Sequence, residues 1–483
     1  MASTHPLLDI TKDIMQVGSD IERYDWHQIQ NNQSDGSLAT ASRYSLATTD
    51  RQAIYDLSNL CLEVQFRCLD SSGNYLEASD LQACPSSIYQ AFESARLLFD
   101  DVQIAQLPIG VGKADVMKAA FEYSLIHGQS IGYNEGLWFD TASDGHNPAL
   151  IDAVSTTAGT GIHTSILQPY NYRSVDGVIT GTGNTFAIYP NTNYNEGFVE
   201  RYKRCLGDAV AGVAPSVNVM LPLKRIFPVL ESMRSIRGVK IEIQLVRKTV
   251  MEEVMYGSVA GAKLEFQKLD MWIPRIQPSL SALKKYEEAL VSDQVVKLHY
   301  HHMDFHQKTN IEKSGTSESY VVSTELQRPV FALVAYGYFD RDSDQNLNSL
   351  QFDLGNLSTI RMMVNNTQAP EVEYSLGAQS AHKLRLARVI QDCQQLAGKK
   401  ASFERDSSAV LNYQRWKDVY PIFPFDLSKI PMSSLSGKSP AEVKVMWTNS
   451  AAWSHNYNCY VLLFSERALD LHLKSGKMLL RQA

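Results

Sequence analysis

One ordered set of parts occurs twice along the chain, and that repetition limits the fold more than any single segment does. In the first half a strand pattern ends near Asp101-Val102-Gln103 and leads to a helix closed by Gly128. In the second, a strand pattern ends near Asn366-Thr367-Gln368 and leads to a helix closed by Gly398. Ile226-Phe227-Pro228 and Ile422-Phe423-Pro424 follow, then Val239 to Leu245 and Val443 to Trp447, and a last strand ends each half. Gln103 and Gln368 are 265 residues apart, Pro228 and Pro424 only 196. The difference of 69 is close to the length of a Gly-rich stretch at about 129–200, so the halves align if the first carries one large insertion there. Two all-β domains with one helix each predict two packed sandwiches of jelly-roll type.

The strand patterns have a two-residue period. Leu60, Leu62, Val64, Phe66 and Cys68 alternate with Cys61, Glu63, Gln65 and Arg67, as a half-buried strand requires. Arg96 to Gln106 reads as one strand, and so does Ile360 to Gln368. Leu264 to Ile273 reads as a strand with a phase slip at Gln267-Lys268, which predicts a bulge. Pro274 and Pro278 are taken as its end. Val330 to Phe339 (VFALVAYGYF) is continuously apolar, so it should be covered on both faces. Helices are predicted at Ala114–His127, with Val116, Met117, Ala120, Phe121 and Leu125 on one face, and at Ser380–Ala397 with Ser380 as N-cap. The expected organisation is an N-terminal helix and arm at 1–50, a first jelly roll at 51–278 with a surface insertion at about 129–200, a connector helix at 279–294, and a second jelly roll at 295–483. The fold class is therefore all-β with a few inserted helices, two consecutive eight-stranded jelly-roll sandwiches.

Composition excludes several function classes. Hydrophobic residues make up 44% and charged residues 20%, which suits a soluble core-forming chain and not a disordered one. Net charge is −7, and no block of Lys or Arg stands out, which argues against sequence-independent nucleic-acid binding. The run Lys224, Arg225, Arg234, Arg237, Lys240 could form a local basic face, or simply a solvated one. The six cysteines are scattered without a CxxC pair and read as free, half-buried thiols of a reducing compartment. No basic start with an apolar run opens the chain, and no stretch approaches the ~20 apolar residues of a spanning helix. Leu7, Ile10, Ile14, Val17 and Ile21 recur every three or four residues and predict one apolar stripe on an N-terminal helix. Its partner could be its own domain, a neighbouring subunit or lipid.

Residues that could carry chemistry have ordinary readings beside them. His299 and His301 share a strand face at a spacing that suits zinc, with His302 and His306 on the other side, but no third ligand is evident. Protonation of this His299–His306 cluster at mildly acid pH would loosen a contact. Asp340, Asp342 and Asp344 are similar to the start of a calcium loop, but Gln345 and Gln351 stand where Gly and Glu are needed, so a polar turn is expected. Ile109 to Ala114 (IGVGKA) is similar to a phosphate loop, but Leu107 and Ala114 depart from its pattern. No catalytic motif or cofactor site emerges. Trp138, Trp272, Trp416, Trp447 and Trp453 suggest either a sugar-binding surface or core and interface packing.

Four segments carry a family resemblance: YDLSNLCLEVQFRCLDSSGNYL, ARLLFDDVQIAQLP with ADVMKAAFEYSLIHG, VNVMLPLKRIFPVLESMRSIRGVKIEIQL, and the tail NCYVLLFSERALDLHLKSGK. From about residue 50 onward the chain resembles double jelly-roll major capsid proteins of polinton-like viruses and adintoviruses, in the lineage that includes adenovirus hexon. The resemblance implies a structural protein and not an enzyme. It implies a homotrimer whose six sandwiches make a pseudo-hexameric block that tiles an icosahedral shell. Implied partners are further trimers, minor capsid and penton proteins and, in some shells, an inner membrane. The implied location is the virion capsid, made and assembled in the host cytoplasm or nucleus. The insertion would be a tower or trimer-locking loop, and the N-terminal stripe (Leu7, Ile10, Ile14, Val17, Ile21) an inter-subunit contact. The competing expectation is a carbohydrate-binding or carbohydrate-active β-sandwich, whose glycosidase form needs two carboxylates about 5–10 Å apart.

Overall fold

The computed structural model describes residues 21–31, 41–76, 82–123, 127–128, 130–141, 172–173, 189–190, 195–206, 215–233, 235–291, 295–326, 328–377, 385–400, 413–428, 430, 441–472 and 478–482. Sixteen strands among them build two sandwiches. The first contains β1 (Ile21–Ile29), β2 (Arg43–Ala47), β3 (Cys61–Leu69), β4 (Phe92–Phe99), β5 (Val102–Leu107), β6 (Val217–Pro222), β7 (Ile241–Arg247) and β8 (Lys263–Pro278). The second contains β9 (Val295–Ile311), β10 (Ser317–Leu326), β11 (Pro329–Tyr338), β12 (Leu357–Val364), β13 (Thr367–Ser375), β14 (Phe423–Asp426), β15 (Ala441–Asn449) and β16 (Tyr457–His472). In the first, the sheets run β1-β8-β3-β6 and β2-β7-β4-β5; in the second, β9-β16-β11-β14 and β10-β15-β12-β13. Each strand of the second set occupies the place of the strand eight earlier, and every pairing is antiparallel. This is the jelly-roll order, twice.

The alternation read in β3 holds. Leu62, Val64, Phe66 and Cys68 are fully buried, while Glu63, Gln65 and Arg67 point outward. The outward row is paired with its neighbours: Glu63 accepts from Lys268 Nζ (2.8 Å), Trp272 Nε1 (2.7 Å) and Asn218 Nδ2 (3.0 Å). Those three donors outweigh the burial that opposes its charge and hold the Glu63 carboxyl below its usual range. The expected bulge lies between Phe266 and Lys268, and Phe331 to Tyr336 of β11 are buried on both faces.

Several expectations need correction. Ile21–Ile29 and Arg43–Ala47 are strands where a helix and arm were expected: β1 lies along β8 and β2 along β7, and without them the first sandwich would lack two of its eight strands. The β1 sequence, IERYDWHQI, hid this because an edge strand covered on one side needs few apolar residues. Ile21 opens that strand and pairs with Pro278, while Leu7, Ile10, Ile14 and Val17 lie outside the described residues. β8 continues through Pro274, which pairs with Trp26. Each half also hides a hairpin inside what reads as one strand. The turns are Asp100-Asp101 (φ 46 and 67) and Asn365-Asn366 (φ 45 and 68), both left-handed pairs that suit a two-residue hairpin without glycine.

Helices follow the fifth strand of each sandwich. α1 (Val111–Glu122) begins three residues earlier than expected and is capped by Tyr123, ahead of Gly128; Leu125 lies outside the described residues. α2 (Glu196–Cys205) closes the insertion, and α3 (Leu280–Val291) is the connector. α4 (Ala387–Lys400) starts later than expected and runs through Gly398; Ser380 lies outside the described residues. Most of the insertion also lies outside them, but its stems do not. Leu137, Trp138 and Phe139 on one side and Phe198, Val199 and Tyr202 on the other are buried, where a surface loop was expected. The buried apolar residues form one main cluster that runs through both sandwiches.

Candidate functional site: the junction of the two sandwiches

α1 sits between the two sandwiches, and every residue from Val111 to Phe121 is buried. Its entry is shaped for close approach. Gly110 caps it at φ 64, and a Cβ there would lie 2.3 Å from Cε1 of Phe305 on β9. A Cβ on Gly112 would lie 2.5 Å from the Cα of Gln90. Gly110 thus serves close packing between the halves and Gly112 close packing within the first, and the lysine that follows binds protein. Lys113 Nζ lies 2.6 and 2.7 Å from the Asp342 carboxylate oxygens and donates to Tyr460 Oη at 3.0 Å. Asp342 is therefore a junction residue of the second sandwich, and the aspartate run is no calcium loop.

The remaining charges of α1 turn to the first sandwich. Asp115 accepts from Arg225 Nε (2.7 Å) and Ser87 Oγ (2.6 Å). Lys118 Nζ meets Glu231 at 2.7 Å and Glu122 at 3.3 Å. Burial works against the charge of Lys118 and of Arg225, yet the facing carboxylates outweigh it and hold both pKa values above the ordinary range. Buried charges persist only when each is paired and hydrogen-bonded.

Asp140, fully buried, joins three segments. It accepts from Arg201 Nη2 (2.9 Å) and Asn195 Nδ2 (2.8 Å) on the returning stem of the insertion, and from Asn348 Nδ2 (2.7 Å) of the second sandwich. Its own N–H donates to Tyr420 Oη at 3.0 Å. Thr141 N–H donates to Asn195 Oδ1 at 3.2 Å, so the two stems meet. Gln90 Nε2 donates to Ser349 Oγ (3.1 Å) and to the Glu253 carbonyl (3.0 Å). Phe121 stacks on Phe331 at 6.3 Å between ring centroids, and Phe139 meets Tyr420 edge-on at 6.0 Å. Apolar and polar contacts thus alternate across one shared interface.

The histidine cluster divides across β9. His299 is exposed, and His301 packs edge-on against Phe331. His302 is buried, with Nε2 3.0 Å from Asp304 Oδ1. Tyr300, on the same face as His302, donates to the Ile104 carbonyl of the first sandwich. Burial lowers the His306 pKa; burial also opposes the Asp304 charge, but the His302 hydrogen bond and the nearby charges, Arg467 among them, together outweigh it and lower that carboxyl. Among the described residues no group of three or more His, Cys, Asp or Glu is placed to hold a metal. The basic run does not form one face: Arg225 is buried on Asp115, Lys240 pairs with Glu242 at 2.7 Å, and Arg234 lies outside the described residues. Trp138, Trp416, Trp447 and Trp453 are core residues, and the exposed indole is that of Trp26 on the edge strand β1. Five of the six cysteines are fully buried, deeper than expected. Sequence reasoning missed the junction because its members, Asp140, Arg201, Asn348, Gln90 and Ser349, are scattered over 259 residues of chain.

Two eight-stranded sandwiches of one order, sharing a core and a buried junction, define a double jelly roll. Comparison with solved structures agrees. A chain from the cryo-EM structure of the Sputnik virophage has a TM-score of 0.55 at 10% identity, covering 100% of this chain and 93% of that one. PBCV-1 VP54, fitted into a cryo-EM reconstruction of the virophage Sputnik, has a TM-score of 0.50 at 7% identity, covering 95% and 97%. The mavirus major capsid protein is 12% identical, with 100% and 92% covered and a TM-score of 0.46. No family model matches the chain, and no curated protein matches it.

Proposed function

We propose that this protein is a major capsid subunit: three chains associate into a pseudo-hexameric block, and the blocks tile an icosahedral shell. The observation that carries this reading is the repeated jelly-roll order fused through one junction, a fold that a chain of the Sputnik virophage matches from end to end. The physics fits. Two like sandwiches per chain present six like units around a threefold axis, and closed symmetry buries the same two patches in every contact. The role is structural. Lineage with polinton-like viruses and adintoviruses rests on the four quoted segments. In the same reading, Leu7, Ile10, Ile14, Val17 and Ile21 contact a neighbouring subunit, a minor capsid protein or an inner membrane, the insertion faces outward, and penton proteins fill the vertices. The sugar-binding alternative loses its main support, since four of the five tryptophans behind it are core residues.

The test is solution mass by light scattering with negative-stain microscopy of the same sample. The expected result is a particle of three 54.1 kDa chains with a six-cornered outline, or closed shells. A stable monomer across pH and salt rejects the reading. Removing residues 1–20 should leave trimers but weaken shell formation, which separates the stripe's role from that of the fold.

A further inference from the structure

Three thiols converge where the returning stem of the insertion meets the first sandwich. Cys68 lies on β3, Cys84 just after the short strand Gln82–Ala83, and Cys205 at the end of α2; all three are fully buried. Cys68 Sγ donates to Cys205 Sγ at 3.1 Å, across 137 residues of chain. That is about 1 Å beyond the ~2.05 Å of a disulfide bond. Cys84 also hydrogen-bonds Cys205, and the buried guanidinium of Arg201 lies one turn earlier on α2. The hydrogen bonds from Cys68 and Cys84, aided by Arg201, outweigh burial and hold the Cys205 thiol well below its ordinary pKa. Its hydrogen bond to Cys205 and its burial push Cys68 up, and burial and the same acceptor push Cys84 up. Cys205 accepts the Cys68 S–H hydrogen bond, which favours it as the sulfur that loses its proton and attacks. The other cysteines lack this arrangement: burial pushes Cys61 and Cys459 each up to about 12 and raises Cys393 as well.

We propose that Cys68 and Cys205 form a redox-responsive pair that closes into a disulfide, fastening α2 and the end of the insertion to β3. The oxidant is a small-molecule disulfide of the glutathione class. The Cys205 thiolate attacks its S–S bond, forming a mixed disulfide and releasing one glutathione thiolate. The Cys68 sulfur gives up its proton and attacks Cys205 Sγ, forming the protein disulfide and releasing the second glutathione thiolate. The two protons lost by the protein pass to the two leaving thiolates, so two protein thiols and one oxidised glutathione become one disulfide and two reduced glutathiones. The burial of the cluster makes opening of the last turn of α2 the entry step.

The test uses the full chain with oxidised glutathione, followed by alkylation, digestion without reductant and mass spectrometry. The expected result is a peptide joined through Cys68 and Cys205, loss of two of the six alkylatable thiols, and a raised unfolding midpoint that dithiothreitol reverses. Cys205→Ser should abolish all three, and Cys393→Ser should leave them. Three outcomes overturn the proposal: all six thiols kept by the native chain while the same oxidant pairs thiols in the urea-unfolded one, a glutathione adduct that stays on Cys205, or a bond from Cys205 to Cys84 instead. The wild-type mass spectrum decides even if a variant fails to fold. No assembled particle is needed, so the result is independent of the capsid reading.

Discussion

The two sandwiches share a strand order, but the helix after the fifth strand has opposite surroundings in each. α4 is an ordinary amphipathic helix: Val389, Cys393 and Leu396 face the core, and Arg388, Gln391, Gln394 and Gln395 face water. α1 is enclosed on all sides, although it carries Lys113, Asp115 and Lys118. The second sandwich covers the face that solvent would otherwise meet and supplies the partner of Lys113, while Asp115 and Lys118 are paired within the first. The same local element can thus be a surface helix or the centre of an interface, and the neighbour decides which.

That contrast can be broken or sharpened by experiment. The largest effect is expected from Asp115→Ala, which takes from the buried Arg225 its main carboxylate partner and leaves only Glu135, 3.9 Å away, at a cost of about 3–5 kcal/mol. Arg388→Ala, which removes the partly exposed 3.8 Å pair with Asp392 on α4, should cost under about 1 kcal/mol. Denaturant unfolding measures both, and equal losses would erase the distinction between the helices. Next, Gly110→Ala should destabilise by about 1–2 kcal/mol for its left-handed backbone and about 1–3 kcal/mol more for the collision with Phe305. Phe305→Leu should recover only the second part.

Acidity tests the β9 face that meets the first sandwich. Burial lowers the His306 pKa, so the unfolded chain takes up the proton first as pH falls. The stability contributed by the neutral ring is present above the unfolded value near 6.5 and is lost as pH drops from there toward the folded value. His306→Gln should flatten the unfolding midpoint between pH 7 and 5. An unchanged slope in His306→Gln would remove this residue from the pH response. Asp101→Gly and Asn366→Gly should each stabilise by up to about 1 kcal/mol, by relieving the same left-handed turn position. Opposite signs would show that the two hairpins are not equivalent. The smallest effect is expected on replacing residues 142–194 with a short Gly/Ser linker. The stems already meet through Thr141, Asn195 and Asp140, and loop length changes closure entropy slowly. A cooperative melt close to wild type would support reading the insertion as an addition to a complete jelly roll, and an unfolded product would not.

The halves were legible as a repeat because period-two alternation is a local property. Leu62-Val64-Phe66 and Val443-Val445-Trp447 state which face is buried without reference to any partner. The offset between Gln103 and Gln368 also held, since it places Asp100-Asp101 on Asn365-Asn366, the two hairpin turns. The turns themselves were missed because neither contains glycine. β1 was missed because an edge strand lies on one neighbour and tolerates charge on its other side. The junction was invisible because Asp140, Arg201 and Asn348 each look like ordinary surface polar residues in sequence.

By itself, then, the sequence determined the all-β class, the repeat and its interruption, since these follow from spacing along one chain. Only the tertiary structure decided that α1 lies between the sandwiches, that Lys113 meets Asp342, and that Cys68 meets Cys205. Those contacts join residues 229 and 137 positions apart, and burial makes each of them matter only once the chain has closed around it.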